Sequence, residues 1–338
     1  LEFRRVLFRS GQNSYHGLAT LVAEELDVAL DKVQVEGRAG NPTWYGNLAM
    51  GGAFQLTGGS SSMPSSWERY RKAGAAAREL LKQAAATQWK VEIGELTTAN
   101  GEVVHADGRR ATYASLIAAA APLPVLGEVA LKDAKAWTLI GKDETARIDA
   151  RAKSDGTQAY TIDIRLPGML VATVAHSPRF GGKVASFDAT AAKAVAGVVD
   201  VVQISRGVAV VANNTWAAIK GREALQVTWD DSGAEMRSSE AMFAEYATLS
   251  TQDGKVALQR GDAKAALGKA AKTIEATYRF PYLAHAALEP LNAVVHKDGE
   301  RLHIHGGLQM PDAVQATCAQ IAGVKPEQVD LHVMKTGG

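Results

Sequence analysis

Thr57-Gly58-Gly59-Ser60-Ser61-Ser62 runs straight into a helical stretch that the residue spacing starts near Ser66-Trp67 and carries to residue 89. Two glycines let backbone approach a ligand closely, and three hydroxyls follow them. Peptide N–H groups at a helix start have no intrahelical partner and carry the positive end of the helix dipole. Together these make a cradle for a phosphate or pyrophosphate. The same composition also describes a solvated Ser/Gly loop with a helix N-cap, and the residues alone leave both readings open.

Outward from that loop, the stretch 67–89 places Tyr70, Ala77, Leu81 and Ala85 on one side, with Arg71, Lys72, Arg78 and Lys82 around them. This predicts a long amphipathic helix whose small residues suit close packing on a sheet. Upstream, Leu18, Leu21, Val22 and Leu26 predict a helix over Ser14–Leu26 that ends in Glu24-Glu25. Residues 32–36 alternate as a strand, with Val33 and Val35 on one face. Downstream, Asn100-Gly101 is a two-residue hairpin signal between 96–98 and 102–105. A short helix over 113–121 stops at Pro122, and an irregular connector follows to about Asp149.

A second unit then reads as strands at 161–165 and 170–175 around the turn Pro167-Gly168, and a helix over 189–196 ended by Gly197. Strands at 198–204 and 208–212, a helix over 216–225 capped by Thr215, and a strand at 226–229 complete it. This order indicates a compact α+β domain. After a polar helical segment at 238–248, strands are expected at 273–280, 292–296 and 301–305, then a helix over 311–322 and a strand at 329–334.

A chain of 338 residues with 46% hydrophobic and 22% charged content is long enough for two or three globular domains. A formal net charge of +1, with no basic stripe interleaved with aromatics, argues against nucleic acid as a partner. No apolar run is long enough to span a bilayer. The single Cys318 excludes an internal disulfide framework and any cysteine-rich iron–sulfur or zinc site within this chain. On its helix-like run Cys318 reads as a small core residue; a thiol nucleophile would need an activating neighbour that the local sequence lacks. Residues 1–10 are basic, do not lead naturally into the turn at Gly11-Gln12, and are set aside as non-native. At the other end Gly337-Gly338 should open a turn after a strand, so the chain reads as a fragment.

The residues now resemble a family. Gly11-Gln12, the helix carrying Ala23-Glu24-Glu25-Leu26, the stretch from Thr57 to Ser62, and Ala73-Gly74-Ala75-Ala76-Ala77-Arg78 are similar to the molybdenum-binding large subunit of the xanthine oxidase family. The resemblance is to its isoquinoline 1-oxidoreductase and periplasmic aldehyde dehydrogenase branch, and it runs from Gly11 to Gly338. Arg165-Leu166-Pro167-Gly168-Met169-Leu170, Ser177-Pro178 and Trp216-Ala217-Ala218 resemble the family's α/β hammerhead domain. Pro281-Tyr282-Leu283-Ala284-His285-Ala286, Glu289-Pro290 and Asn292 resemble the opening of a molybdenum domain. Asn13 stands where the family carries the second glycine of Gly-Gln-Gly, and His16 where it carries threonine.

The resemblance implies an α+β, multi-domain chain. Residues 11–148 would form part of a molybdopterin-binding domain with its connector, 149–255 the hammerhead domain and linker, and 256–338 the start of a second molybdenum-binding domain. The implied cofactor is molybdenum–molybdopterin cytosine dinucleotide, held by Gln12, Thr57, Gly58, Gly59, Ser60, Ser61, Ser62, Gln309, Gly337 and Gly338. Gln309 would hydrogen-bond an oxo ligand of the metal, although by its residues alone it could equally face water. No protein atom ligates the metal, and the catalytic glutamate base is expected beyond Gly338. Glu289 and His285 read as structural. His303 and His305 share a strand face, but two histidines rarely make a zinc site. The implied function is oxidation of an N-heteroaromatic compound or an aldehyde with water-derived oxygen. The implied partners are a small [2Fe–2S] subunit and an electron acceptor such as a cytochrome c, with a periplasmic location. A non-catalytic ligand-binding or assembly protein of the same fold is the rival reading.

Overall fold

In the computed structural model, which describes residues 2–4, 14–37, 41–143, 145–284 and 286–336, the helical spacing of Leu18, Leu21, Val22 and Leu26 becomes α1 (Ser14–Leu26). Residues 2–4, inside the segment the sequence reading set aside, form β1 (Glu2–Arg4), which runs parallel to β2 (Gln34–Glu36). A short α2 (Pro42–Tyr45) precedes the glycine–serine loop. The long helix α3 (Ser62–Trp89) begins four residues before the position read from the sequence. Pro64 does not delay it, because the first turn of a helix has no use for the missing N–H.

Helices α1 and α3 pack closely through small residues. A Cβ at Gly74 would lie 2.8 Å from the Val22 carbonyl oxygen and 2.9 Å from the Glu25 Cβ. The hairpin forms as read: β3 (Leu96–Ala99) and β4 (Glu102–His105) are joined by Asn100 and Gly101, both at positive φ, and β5 (Arg110–Thr112) completes an antiparallel sheet. Leu26, Leu81, Leu96, Val103, Tyr113 and Leu116 form the core between that sheet, α3 and α4 (Tyr113–Ala120). The connector after Pro122 stays irregular apart from a single 3-10 turn (Ala134–Ala136), and it is followed by α5 (Ala150–Ser154).

That connector is fixed by two fully buried carboxylates, which no local pattern marks as interior. Glu24 accepts N–H groups from Thr138, Leu139 and Ile140, at 2.6–3.1 Å, and the Lys132 ammonium at 3.2 Å. Burial by itself would raise the Glu24 pKa, but these donors, led by Leu139, outweigh it and hold the carboxyl below its ordinary value. Glu25 accepts from Arg71 Nε at 2.8 Å and lies 3.5 Å from Arg78, and both guanidiniums are themselves buried. The Arg71 guanidinium also lies over the rings of Trp67 and Trp137, 5.6 and 5.3 Å from their centroids.

In the second unit, β6 (Val171–Ala175), β8 (Val198–Ile204) and β9 (Gly207–Ala212) form an antiparallel sheet in the order β6-β9-β8, and β7 (Lys183–Asp188) pairs with β10 (Gln226–Asp230). The short α6 (Thr190–Lys193) and α7 (Thr215–Ala224) cover a core of Ala192, Val201, Val208, Val210 and Ala218. The cap of α7 is Asn214, whose side chain accepts the Ala217 N–H, and not Thr215. The turn Pro167-Gly168 forms with Gly168 at φ +70° and a Met169-to-Leu166 bond. Helices α8 (Ser239–Leu249) and α9 (Ala263–Gly268) follow.

Two expected strands are absent. At 161–165 a 3-10 turn (Thr161–Asp163) forms instead, because the Asp163 carboxylate captures the Tyr160 N–H and offers the backbone a turn in place of a ladder. Residues 273–280 have no strand partner among the described residues, and Ile274, Tyr278 and Phe280 stay exposed. The chain then forms β11 (Ala293–Asp298), antiparallel to β12 (Arg301–Gly306), with α10 (Pro311–Ala322) crossing over to β13 (Val329–Val333), which is parallel to β12. Packing divides the chain into residues 1–164 with 285–338, and residues 165–284. No described helix is long and apolar enough to cross a membrane.

Cys318 lies on the face of α10 that packs on Ile304 and Val329, and burial pushes its thiol pKa up, as suits a packing residue. The opposite face of the β11-β12-β13 sheet carries four histidines. His296 pairs with His303 and His305 with His332, their rings stacked at centroid distances of 4.7 and 4.1 Å. Stacked rings send their in-plane nitrogens in parallel instead of toward a shared point. No group of three metal-ligating side chains is arranged to hold an ion among the described residues. Burial, then the neighbouring His332, His296 and His303, lower the His305 pKa from its ordinary 6.5. A histidine with a depressed folded value contributes stability that is present above the unfolded pKa and lost as pH falls through the folded one. His305→Gln is therefore expected to flatten the acid limb of stability between about pH 7 and pH 5. An unfolding-midpoint series that declines as steeply in the variant as in wild type would refute this.

Candidate functional site

Between Gly58 and Ser62 the backbone makes a tight turn. Gly59 (φ +58°) and Ser60 (φ +55°) both sit in the left-handed region, and the Ser61 N–H closes the turn onto the Gly58 carbonyl at 3.2 Å. Glycine takes this conformation freely, whereas Ser60 holds it at a cost, which marks the turn as constrained. Ser61 returns to right-handed geometry (φ −89°, ψ −15°) and stands at the N-cap of α3. A left-handed residue followed by a right-handed one turns successive N–H groups to the same side, the arrangement of an anion-binding concavity. Among the described residues, the N–H groups of Gly59, Ser60, Ser62 and Met63 meet no acceptor.

The side chains divide the work. The Ser61 hydroxyl donates to the Gly58 carbonyl at 2.7 Å and accepts from Asn47 Nδ2 at 2.8 Å, so it is used within the turn and does not cap the helix. Gly59 and Ser60 are exposed. Thr57 is 1% exposed, and its hydroxyl is buried with no hydrogen-bond partner. A buried, unanswered hydroxyl costs about 1–3 kcal/mol unless something supplies a partner. Next to it lie unpaired N–H donors on a helix start, and this donor set fits a phosphate-bearing group.

Gln309 lies at the turn between β12 and α10, and the structure brings it to this loop across 252 positions of sequence. Its Nε2 donates to the Thr57 carbonyl at 2.7 Å, and the Thr57 N–H donates to the Gln309 carbonyl at 2.9 Å. One side-chain N–H is thereby committed to the loop, and a primary amide carries a second. Sequence reading missed three residues that hold this arrangement. Asn47 is buried and donates to the Leu56 carbonyl at 3.0 Å. Gln55 is fully buried, with its side-chain oxygen 3.3 Å from the Asn41 N–H. Asp312 accepts the Gln55 N–H at 2.6 Å. Each is a common polar residue in an unremarkable stretch; burial sets Asn47 and Gln55 apart, and the long-range bond to the Gln55 N–H sets Asp312 apart. Gln12, Gly337, Gly338 and His285 lie outside the described residues, as do Gly11 and Asn13. Glu289 accepts from Asn292 Nδ2 at 3.0 Å within its own turn, and its other oxygen is buried without a partner.

The site thus joins a helix-starting glycine–serine turn that carries free N–H donors to a glutamine turn of the same α+β unit. A molybdopterin cofactor-binding domain model matches residues 8–181, and a second model of the same description matches 248–338. The chain belongs to the molybdopterin cofactor-binding family, within the xanthine oxidase family that its sequence resembles. It is 31% identical to the isoquinoline 1-oxidoreductase subunit beta of Brevundimonas diminuta, over 97% of this chain and 47% of that protein. It is 29% identical to the membrane-bound aldehyde dehydrogenase (pyrroloquinoline-quinone) of Gluconacetobacter polyoxogenes, over 97% of this chain and 43% of that protein. Among solved structures it is similar to quinoline 2-oxidoreductase from Pseudomonas putida 86, with a TM-score of 0.44 and 18% identity over 56% of this chain and 30% of that one. The chain spans less than half the length of these two curated relatives.

Proposed function

We propose that this chain is part of the large subunit of a molybdenum hydroxylase that oxidises an N-heteroaromatic compound or an aldehyde with oxygen taken from water. The observation that carries the reading is the direct bonding of Gln309 to Thr57, which unites a phosphate-type loop with the amide expected to face the metal. The molybdopterin is proposed to be the cytosine dinucleotide form, because a loop offering several N–H groups suits a pyrophosphate. When bound, the group supplies the redox centre at which substrate is oxidised.

In this reading the N–H groups of Gly59, Ser60, Ser62 and Met63 bind phosphate oxygens, and the Thr57 hydroxyl gains its missing partner. Gly58 brings the backbone close, Ser60 adds a hydroxyl, and Ser61 braces the turn. The second Gln309 N–H is held toward the metal's oxo group, while Gln12, Gly337 and Gly338 complete the cradle. Domain assignments of 11–148 to molybdopterin binding, 149–255 to the hammerhead and 256–338 to a second molybdenum-binding domain belong to the same proposal.

One cysteine cannot hold a cluster. We propose, as the family resemblance implies, that electrons pass to a small subunit with two [2Fe–2S] clusters and then to an acceptor such as a cytochrome c, in the periplasm. Full turnover with its natural acceptor by the large subunit alone would rule that partner out.

The test of the loop is Gly59→Val. A Cβ at Gly59 meets nothing within 4 Å, so the new side chain fills open space beside the turn. Left-handed geometry costs a branched residue about 1–2 kcal/mol, which a folded domain tolerates. The intact subunit is expected to remain folded and to lose most of its molybdenum. Undiminished metal per folded subunit would exclude the loop as the cofactor's phosphate site.

A further inference from the structure

We propose that Asp312 is a positioning residue for the phosphate loop, setting its register from the start of α10. The inference rests on the loop being the cofactor cradle, and it concerns how that cradle is held. In an extended segment successive backbone groups point to opposite sides. Residues 55–57 follow this rule: the N–H groups of Gln55 and Thr57 both reach the 309–312 turn, at 2.6 Å to Asp312 Oδ2 and 2.9 Å to the Gln309 carbonyl. The Leu56 carbonyl between them goes the other way, to Asn47 Nδ2 at 3.0 Å. The three residues leading into the turn are therefore clamped from two sides. Asp312 clamps the Gln55 N–H, and it stands in the first turn of a helix, behind Pro311. A carboxylate is stabilised there by the helix dipole, and the helix fixes its position.

Charge works against this residue being a direct anion contact. Its other oxygen, Oδ1, is buried without a partner, so a negative group sits close behind a loop built to receive a negative ligand. Asp312 must help binding through geometry, and this separates two substitutions that a merely electrostatic or merely structural role would not. Asp312→Asn keeps an acceptor for Gln55 and removes the charge. Asp312→Ala removes both.

The experiment uses the intact subunit freed of cofactor, with residue-resolved amide hydrogen exchange and inorganic pyrophosphate as the titrated probe. In Asp312→Ala the Gln55 amide is expected to exchange about tenfold faster or more, while the amides in the middle of α3 keep their protection. Pyrophosphate affinity is expected to fall about tenfold. In Asp312→Asn, Gln55 protection is expected to match wild type, and pyrophosphate is expected to bind at least as tightly. Should the alanine variant not fold, Asp312→Ser, whose hydroxyl is too short to reach Gln55 but still suits a helix start, carries the same expectations. Wild-type exchange at Gln55 in Asp312→Ala overturns the proposal. So does faster exchange spread evenly over α1, α3 and α10, because the effect would then be general destabilisation. Absence of pyrophosphate binding by the wild-type chain would count against the cradle itself, and the Gln55 exchange rate would still decide the role of Asp312.

Discussion

Gln309→Ala in the intact enzyme is expected to lower turnover per bound molybdenum by roughly tenfold to a thousandfold, the upper part of that span being the loss typical of a single preorganised donor. The side chain has two N–H groups, and one is fixed on the Thr57 carbonyl at 2.7 Å. That bond holds the amide plane, so the second N–H is aimed without reorganisation when negative charge grows on the group it faces. An interaction of that kind acts mainly on the reacting state and should lower kcat more than it raises KM. Gln309→Glu is expected to be worse than alanine. A carboxylate would set an oxygen against the Thr57 carbonyl and bring a charge with no hydrogen to donate. Steady-state kinetics normalised to molybdenum, with metal content measured separately, decide the matter. Wild-type turnover per metal in Gln309→Ala would remove Gln309 from the site.

The second large effect is on folding. Glu25→Ala leaves Arg71 buried and without its carboxylate, and leaves buried Arg78 with Glu79 alone, at 3.1 Å. Removing one partner of a buried ion pair costs about 3–5 kcal/mol, because the remaining charge stays desolvated. A domain has about 5–15 kcal/mol in total, so the variant should fold marginally or not at all. Glu25 also accepts the Lys132 N–H at 3.1 Å, which ties the connector to the helix pair. Loss of protection is therefore expected first in residues 128–140. A urea midpoint within experimental error of wild type would show that water reaches these arginines and that the pair is not buried in solution.

Elements whose own residues settle their conformation were legible in advance. Helix α1 follows from four apolar positions at helical spacing, the hairpin from Asn100-Gly101, and α10 from Pro311 at its first position and Gly323 just past its end. The start of α3 was misplaced because serine and proline are poor interior helix formers yet suit a first turn. Strands at 161–165 and 273–280 were misread because a strand exists only through its partner: Asp163 redirected the first, and the second has no neighbour to pair with among the described residues. Resemblance, not pattern, singled out Gln309.

The sequence by itself determined the α+β class, the helix-starting glycine–serine loop and the family, since all three are carried by residues adjacent along the chain. Tertiary structure alone decided which polar groups are spent and which remain free. Folding encloses Glu24 and Glu25 with donors from the connector, stacks four histidines drawn from three strands, commits Ser61 to its own turn and leaves the Thr57 hydroxyl unanswered. It also joins Thr57 to Gln309 and Gln55 to Asp312 across more than 250 residues. No local pattern encodes these pairings, because a buried polar group is satisfied by whichever partner the packed chain brings within about 3 Å, at any distance in sequence.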